Sequence, residues 1–399
     1  MEEYELPKLV VAGSNPVARF FDMNDNHFEI TSKSDRARTG IIRTKSGIIK
    51  TPAFMPVATL GDIKTLPVWD LHNLGVQLFV TNAYHLHIRP GEDLIREFGG
   101  LHSFMNWDGP IVTDSGGFQV YSLSSKKKIQ EEGILFSSHI DGAPLHFTPE
   151  SVIDIEISLG SDILMPLDEC IGYPIGKGYA REAMDRTNRW ARKAIDYFKT
   201  KNFKGQLFGI IQGSTYPDLR IKAAKEITRL DFNGFAIGGL IVGESKEQTW
   251  EVIDSILPYL PEEKPRYAMG MGKVSDIIKA VKKGIDLFDC VIPTRNARAG
   301  VLYTREGKIN LKNARFKDDP KPISEDCHCP TCRNYSRAYL RHLFNSNEIL
   351  AKYLSTLHNI TFYIELMREI RGHIENKTIG EWSKRFLTKY KGGFDVILF

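Results

Sequence analysis

Cysteine is scarce in this chain: there are five in 399 residues, and three of them fall within six positions. The other two, Cys170 and Cys290, stand alone. That distribution excludes a disulfide framework and suits a reducing compartment. Long apolar runs are missing too. No stretch reaches the roughly 20 residues needed to cross a bilayer as a helix. The amino terminus, MEEYELPKLVVAGSNPVARFF, starts acidic and lacks the basic start and apolar core of a secretion signal. These absences predict a cytoplasmic protein. A strong charge of either sign is also lacking, since 53 Lys and Arg against 49 Asp and Glu leave only +4. Bulk charge alone therefore does not imply a nucleic-acid partner. The basic residues do cluster, at Arg36, Arg38 and Arg43, at Lys126 to Lys128, at Lys282 and Lys283, at Arg295 and Arg298, and at Lys312, Arg315 and Lys317. Each cluster reads as a solvated face or as part of a polyanion track.

The three crowded cysteines form Cys327-His328-Cys329-Pro330-Thr331-Cys332. Three thiolates and one imidazole make a closed tetrahedral zinc site of the structural kind. Three histidines compete for the fourth place. His328 lies between two ligands, where simultaneous coordination is awkward. His342 falls in helical register with Tyr335 and Tyr339, which reads as a packing face. His358, separated from the last cysteine by 25 residues, is the expected ligand. One structural Zn2+ per chain is expected, held by Cys327, Cys329, Cys332 and His358. A closed ligand set leaves it no catalytic role.

Upstream, short apolar runs alternate with amphipathic ones. The strand candidates are IKTPAFMPV, QLFVTNAYHL, PIVTDSGGF, SDILMPLDE, QLFGIIQG, GFAIGGL, RYAMGMG and DLFDCVIP. Continuous apolar strands separated by helical patterns imply a parallel sheet covered by helices. Eight such units predict an α/β fold, a (β/α)8 TIM barrel over residues 35–315. Within it, residues 35–49 read as a β-hairpin with Lys45-Ser46-Gly47 near the turn, and YSLSSKKKIQEEGILFSSHIDGAPLHF as an inserted hairpin. Residues 316–399 read as a zinc-binding helical subdomain. Residues 1–34 show no strong periodicity and read as an extension.

The strand ends carry the chemistry. Asn82-Ala83-Tyr84-His85, Asp114-Ser115-Gly116-Gly117, Asp168-Glu169, Gln212-Gly213, Gly238-Gly239 and Asp289 all sit where strands stop. A barrel gathers its active site at the C-terminal ends of its strands. Any one of these aspartates alone reads equally as a turn or helix-cap residue. Together, Asp114, Asp168 and Asp289 suit double displacement at a sugar anomeric centre, where one carboxylate attacks and another moves protons. The amides of Gly238, Gly239 and Leu240 can approach a substrate carbonyl closely. Gln212 can serve a planar amide edge.

At these residues the chain resembles the tRNA-guanine transglycosylases, or queuine tRNA-ribosyltransferases, of the bacterial type. The matching stretches include TPAFMPV, NAYHL, GGLHSFMNWDGPIVTDSGGFQV, SDILMPLDEC, LFGIIQGS, FAIGGLIVGES, YAMGMG, LFDCVIPTRNAR and CHCPTCRNYSRAYLRHLF with His358. They run in order from about residue 35 to 390. The resemblance implies exchange of guanine at the anticodon wobble position, G34 of tRNAs with GUN anticodons, for a 7-deazaguanine. It implies that Asp289 is the nucleophile and Asp114 the general acid/base, with Asp168 reading the purine edge. Ser115, Gly116, Gly117, Gln212, Gly238, Gly239 and Leu240 fall in the base pocket, and Phe118 and Met269 on its walls. Phe118 stands where some members carry tyrosine, so that hydroxyl is absent. Cys170 and Val242 resemble the pocket that takes preQ1 rather than queuine. Gly270, Met271, Gly272, Lys273, Val274, Ser275 and Asp276, with Thr294, Arg295, Asn296, Ala297 and Arg298, match regions that grip the anticodon loop of tRNA. Tyr335, Tyr339 and His342 match an aromatic homodimer contact.

Three other readings compete. A retaining glycoside hydrolase would explain the carboxylates, but not the cysteine cluster or the TRNAR segment. A non-catalytic RNA-binding paralogue would tend to lose the aspartates, and here Asp114 and Asp289 remain. An archaeal-type enzyme would carry a further C-terminal RNA-binding domain.

Overall fold

The computed structural model describes residues 27–123 and 126–390. Most of the expected N-terminal extension, residues 1–26, and the apolar tail Phe394 to Phe399 lie outside the described residues. All eight strand candidates form strands of one parallel sheet. They are β1 (Ala53–Met55), β2 (Phe79–Asn82), β3 (Ile111–Asp114), β4 (Ile163–Leu164), β5 (Gln206–Ile211), β6 (Gly234–Ile237), β7 (Arg266–Ala268) and β8 (Leu287–Asp289). Spatial order follows chain order, and β8 pairs with β1. Between β1 and β2, Ala58 N donates to Val80 O at 2.8 Å and Val80 N to Pro56 O at 3.1 Å. The result is a nearly closed (β/α)8 barrel. The strands read as unbroken apolar runs because both faces are covered: all six residues of β5 are buried.

Side chains fill the barrel, among them Met55, Val80, Val112, Phe208, Ile210, Tyr267 and Leu287. Phe28, Ile42 and Ile49 join them from a three-stranded antiparallel sheet that plugs the N-terminal end. Two of its strands, Ala37–Thr44 and Gly47–Thr51, are the expected hairpin, with Lys45-Ser46 at the turn. The third, Phe28–Ser34, lies in the stretch without evident periodicity. Only Phe28 and Ile30 are apolar on its inward side, so the alternation is faint in the sequence. A buried ion pair fastens the plug. The Arg38 guanidinium spans both oxygens of Asp286, at 3.0 and 2.6 Å, just before β8.

The insertion after β3 folds as three short antiparallel strands, Lys127–Ile129, Ile134–Ser137 and Pro144–Phe147, rather than two. Pro144 opens the third, a position that tolerates its missing N–H but hides the strand in the sequence.

Beyond β8 comes a helix of only eight residues, Ile292–Ala299, then a hairpin, Val301–Thr304 with Gly307–Asn310. The flank between β8 and β1 is covered instead by the 27-residue helix Ile349–Glu375 of the C-terminal region. Its Phe362, Tyr363, Leu366, Met367 and Ile370 share one core with Phe54 and Phe288 of the barrel. The Phe54 and Tyr363 rings lie 4.6 Å apart, and Arg371 donates to Pro52 O at 2.7 Å. Buried residues run all round this helix, the mark of a core element rather than an amphipathic one. The C-terminal helical region and the barrel are thus continuous in packing.

Candidate active site and metal centre

Every strand end singled out above opens on one mouth of the barrel. Asp289 closes β8. Its Oδ1 accepts from the Tyr267 hydroxyl at 2.6 Å and from Gly270 N at 2.7 Å. Its other oxygen accepts no hydrogen bond among the described residues. Burial raises its pKa, and the two donors pull it down.

Asp114 closes β3, directly opposite Asn82 at the end of β2. Asn82 Oδ1 accepts from His85 N, capping the helix Ala83–Ile88, so its amide nitrogen is turned outward. That nitrogen donates to Asp114 Oδ2 and to Gln119 Oε1, each at 2.8 Å. Burial, followed by the charges of Asp168 and Asp289, pushes the Asp114 pKa up to about 8. The three aspartates therefore feel one another electrostatically.

Asp168 follows β4. Its oxygens accept from Ser115 Oγ at 3.3 Å and Gln212 Nε2 at 2.7 Å. Burial raises its pKa to about 6. Gln212 Oε1 is buried without a partner and packs against Gly239. Two glycines admit this geometry. Gly239 has φ +61°, and a Cβ there would lie 2.2 Å from Gln212 Oε1. A Cβ on Gly117 would lie 2.4 Å from Asp168 O.

The Gly238-Gly239-Leu240 turn is held from behind by Arg220, which is fully buried. Its guanidinium donates to Gly238 O at 2.7 Å and Gly239 O at 3.1 Å, and to Ile211 O and Ser214 O. In a trans peptide the N–H points opposite to the C=O. The amides of Gly239 and Leu240 are therefore turned away from Arg220. The Glu244 carboxylate takes the next two amides, Ile241 N and Val242 N.

Cys170 is buried beside these groups, and burial raises its thiol pKa, keeping it neutral. Met269 is half-buried past β7, and Phe118 is 44% exposed on the helix Gly117–Leu123. Of the two predicted RNA-gripping segments, Met271, Gly272, Val274, Thr294 and Ala297 are buried. Gly270, Lys273, Ser275, Asp276, Arg295, Asn296 and Arg298 keep exposed surface.

Sequence reasoning missed Tyr267, Arg220 and Glu244, and used Asn82 only as a strand-end marker. Arg220 did leave a signal. It is a charged residue on the buried face of the helix Pro217–Ile227, beside Leu219, Ala223, Ala224 and Ile227. Such a residue requires buried acceptors.

The Sγ atoms of Cys327, Cys329 and Cys332 lie 3.6, 3.6 and 3.3 Å from His358 Nδ1. All four donor atoms fall within 4.8 Å of one another. A tetrahedral zinc ion with ordinary bond lengths would set sulfur and nitrogen about 3.5 Å apart, so the donor set fits. His358 Nε2 sits 2.7 Å from Tyr303 O, which assigns it the proton and leaves the Nδ1 lone pair able to bind a metal. Neighbouring Asn359 accepts from Tyr303 N and donates to Pro293 O and Val301 O. The metal helix is thus stitched to the chain leaving β8. His328 and His342 stand outside the group. Tyr335 and Tyr339 stack with centroids 5.4 Å apart, beside exposed His342. No helix among the described residues is long and apolar enough to cross a membrane.

Comparison with known proteins agrees with this geometry. The family model described as queuine tRNA-ribosyltransferase matches residues 33–392. A queuine tRNA-ribosyltransferase of Natranaerobius thermophilus is 52% identical over 363 residues, covering 91% of this chain and 98% of the relative. Those of Thermodesulfovibrio yellowstonii and Pelotomaculum thermopropionicum are each 48% identical, over 92% of this chain and 96% and 99% of their own.

Proposed function

The chain belongs to the queuine tRNA-ribosyltransferase family, the tRNA-guanine transglycosylases, pentosyltransferases that act in queuosine formation, and from that premise we propose its substrates, residue roles and mechanism. It exchanges guanine at G34 of tRNAs with GUN anticodons for a 7-deazaguanine, in the cytoplasm. Asp289 attacks C1′ of the ribose through Oδ2 and forms a covalent enzyme–tRNA intermediate. Asp114, protonated at neutral pH, gives its proton to the departing guanine. It then removes one from the incoming base, which attacks C1′ and frees Asp289. Two displacements retain the configuration at C1′.

The observation that carries this reading is the convergence of Asp114, Asp168 and Asp289 on one mouth, with both hydrogen bonds to Asp289 on a single oxygen. Those bonds favour the charged nucleophile without blocking it. Asp168, Gln212 and the amides of Gly239 and Leu240 supply acceptors and donors for a purine edge. Phe118 and Met269 supply the walls. A base displaced from its stack is what such a pocket requires. Buried Cys170 and half-buried Val242 favour the smaller base, preQ1. Lys273, Arg295 and Arg298 hold the anticodon loop. Cys327, Cys329, Cys332 and His358 hold one structural Zn2+, and the ion keeps the C-terminal helix in place. Tyr335, Tyr339 and His342 form the contact of a homodimer.

The test is Asp289→Asn. It should abolish guanine exchange and the covalent adduct on denaturing gels, while tRNA binding persists. A surviving adduct overturns the nucleophile assignment. Side-by-side turnover of preQ1 and queuine decides the incoming base.

A further inference from the structure

Asp168 lies in the stretch Met165 to Cys170, which belongs to no helix or strand yet is buried at every position. The strand before it, β4, is only two residues long. The sheet alone therefore does little to fix where Asp168 points. Two buried glutamates do so from outside the barrel. Glu156, on the helix Pro149–Leu159, accepts Met165 N at 3.2 Å. Its other oxygen is buried without a partner, so the carboxyl has no other hydrogen-bonding task. Glu169 accepts from the Tyr179 hydroxyl at 2.7 Å on one oxygen and pairs with Arg186 on the other. Its backbone N–H donates to Thr187 Oγ1 at 3.0 Å. Tyr179, Arg186 and Thr187 all stand on one 23-residue helix, Lys177–Lys199.

The two adjacent carboxylates thus face opposite ways. Asp168 meets Ser115 and Gln212, while Glu169 meets the helix. Both Glu169 oxygens are engaged, so it has nothing to offer a ligand. We propose that Glu156 and the Glu169–Arg186–Tyr179 cluster are positioning residues for base recognition, setting the affinity for the purine without touching it. A carboxylate that reads two neighbouring donors must sit within a few tenths of an ångström, and a support on a rigid helix supplies that accuracy. The inference rests on the reading of Asp168 as the base-recognising group.

The experiment measures KM for guanine, KM for tRNA and kcat in Glu169→Gln, Glu156→Met and Asp168→Asn. Glu169→Gln keeps the shape and discards the charge that holds Arg186. It should raise the guanine KM about tenfold, the effect of misplacing one charge-assisted hydrogen bond, with tRNA KM and saturated kcat within about twofold. Glu156→Met keeps the volume but removes the acceptor for Met165 N, and should raise the guanine KM about threefold with tRNA KM and saturated kcat within about twofold. If Glu169→Gln folds poorly, Tyr179→Phe removes a single hydrogen bond and should raise the guanine KM about threefold. An unchanged guanine KM, or a fall in kcat alone, overturns the proposal. Asp168→Asn separates the two failures. If it too leaves guanine KM unchanged, the base-reading role of Asp168 falls. If it raises KM where Glu169→Gln and Tyr179→Phe do not, only the positioning role falls.

Discussion

The Tyr267 hydroxyl and Asp289 meet at 2.6 Å, on the same carboxylate oxygen that takes Gly270 N. The phenol comes from the interior of the barrel, where it is fully buried. It stabilises negative charge on Asp289 at the point where burial opposes it. Tyr267→Phe should therefore lower kcat about tenfold while the covalent adduct still accumulates. Rapid-quench measurement of adduct formation checks this. An unchanged rate would mean that Gly270 N alone suffices.

Asp114 makes a pH-dependent contribution to stability. Its folded pKa is about 8, while an unfolded aspartate titrates near 4. Between those values the unfolded chain is ionised and the folded chain keeps the proton. Stability owed to this residue therefore falls as pH rises through that window and levels off above it. Asp114→Asn removes the effect. Its Tm advantage over wild type should be small near pH 4.5 and grow to a few degrees by about pH 8.5. A gap that shrinks as pH rises would contradict the buried, protonated state.

Metal removal should act on RNA before it acts on the base. His358 and Asn359 both bond the segment Pro293 to Tyr303, which carries Arg295 and Arg298. Cys329→Ser should lose the ion and lower Tm. Residual enzyme should show a raised tRNA KM, about tenfold, with guanine KM little changed. Elemental analysis and two-substrate kinetics read both. Full metal content in the variant would sink the ligand assignment.

Gly239→Ala places a methyl group 2.2 Å from Gln212 Oε1 at φ +61°. The left-handed backbone costs about 1–2 kcal/mol and the clash displaces Gln212, but the change is local. Guanine binding should nevertheless fall beyond detection, while tRNA binding holds. Calorimetric titration with guanine separates the two.

The barrel was legible because its strands are buried on both faces and so stand out as apolar runs. The metal ligands were legible because spacing alone reduces the choices, and the aspartates because they end strands. What escaped depends on contacts between distant segments. Tyr267 reads as an ordinary strand aromatic until Asp289, 22 residues on, is seen to accept from it. The strand Phe28–Ser34 carries too few apolar residues to announce itself. The role of the helix Ile349–Glu375 as a barrel wall was equally hidden, since the chain between β8 and that helix gives no hint that it returns to Pro52.

That return sets a schedule. Arg371 bonds Pro52 across 319 residues of sequence, and the wall between the last strand and the first waits for it. At ordinary ribosomal speeds of about 5–20 residues per second, most of a minute can pass between the making of these two residues. Asp289 precedes Arg371 by 82 residues (371 − 289), so for about 4–16 s at those speeds the nascent chain carries Asp289 without the wall behind it. The barrel therefore cannot close strand by strand as it is made, and its last wall is set only after residue 371 has left the ribosome.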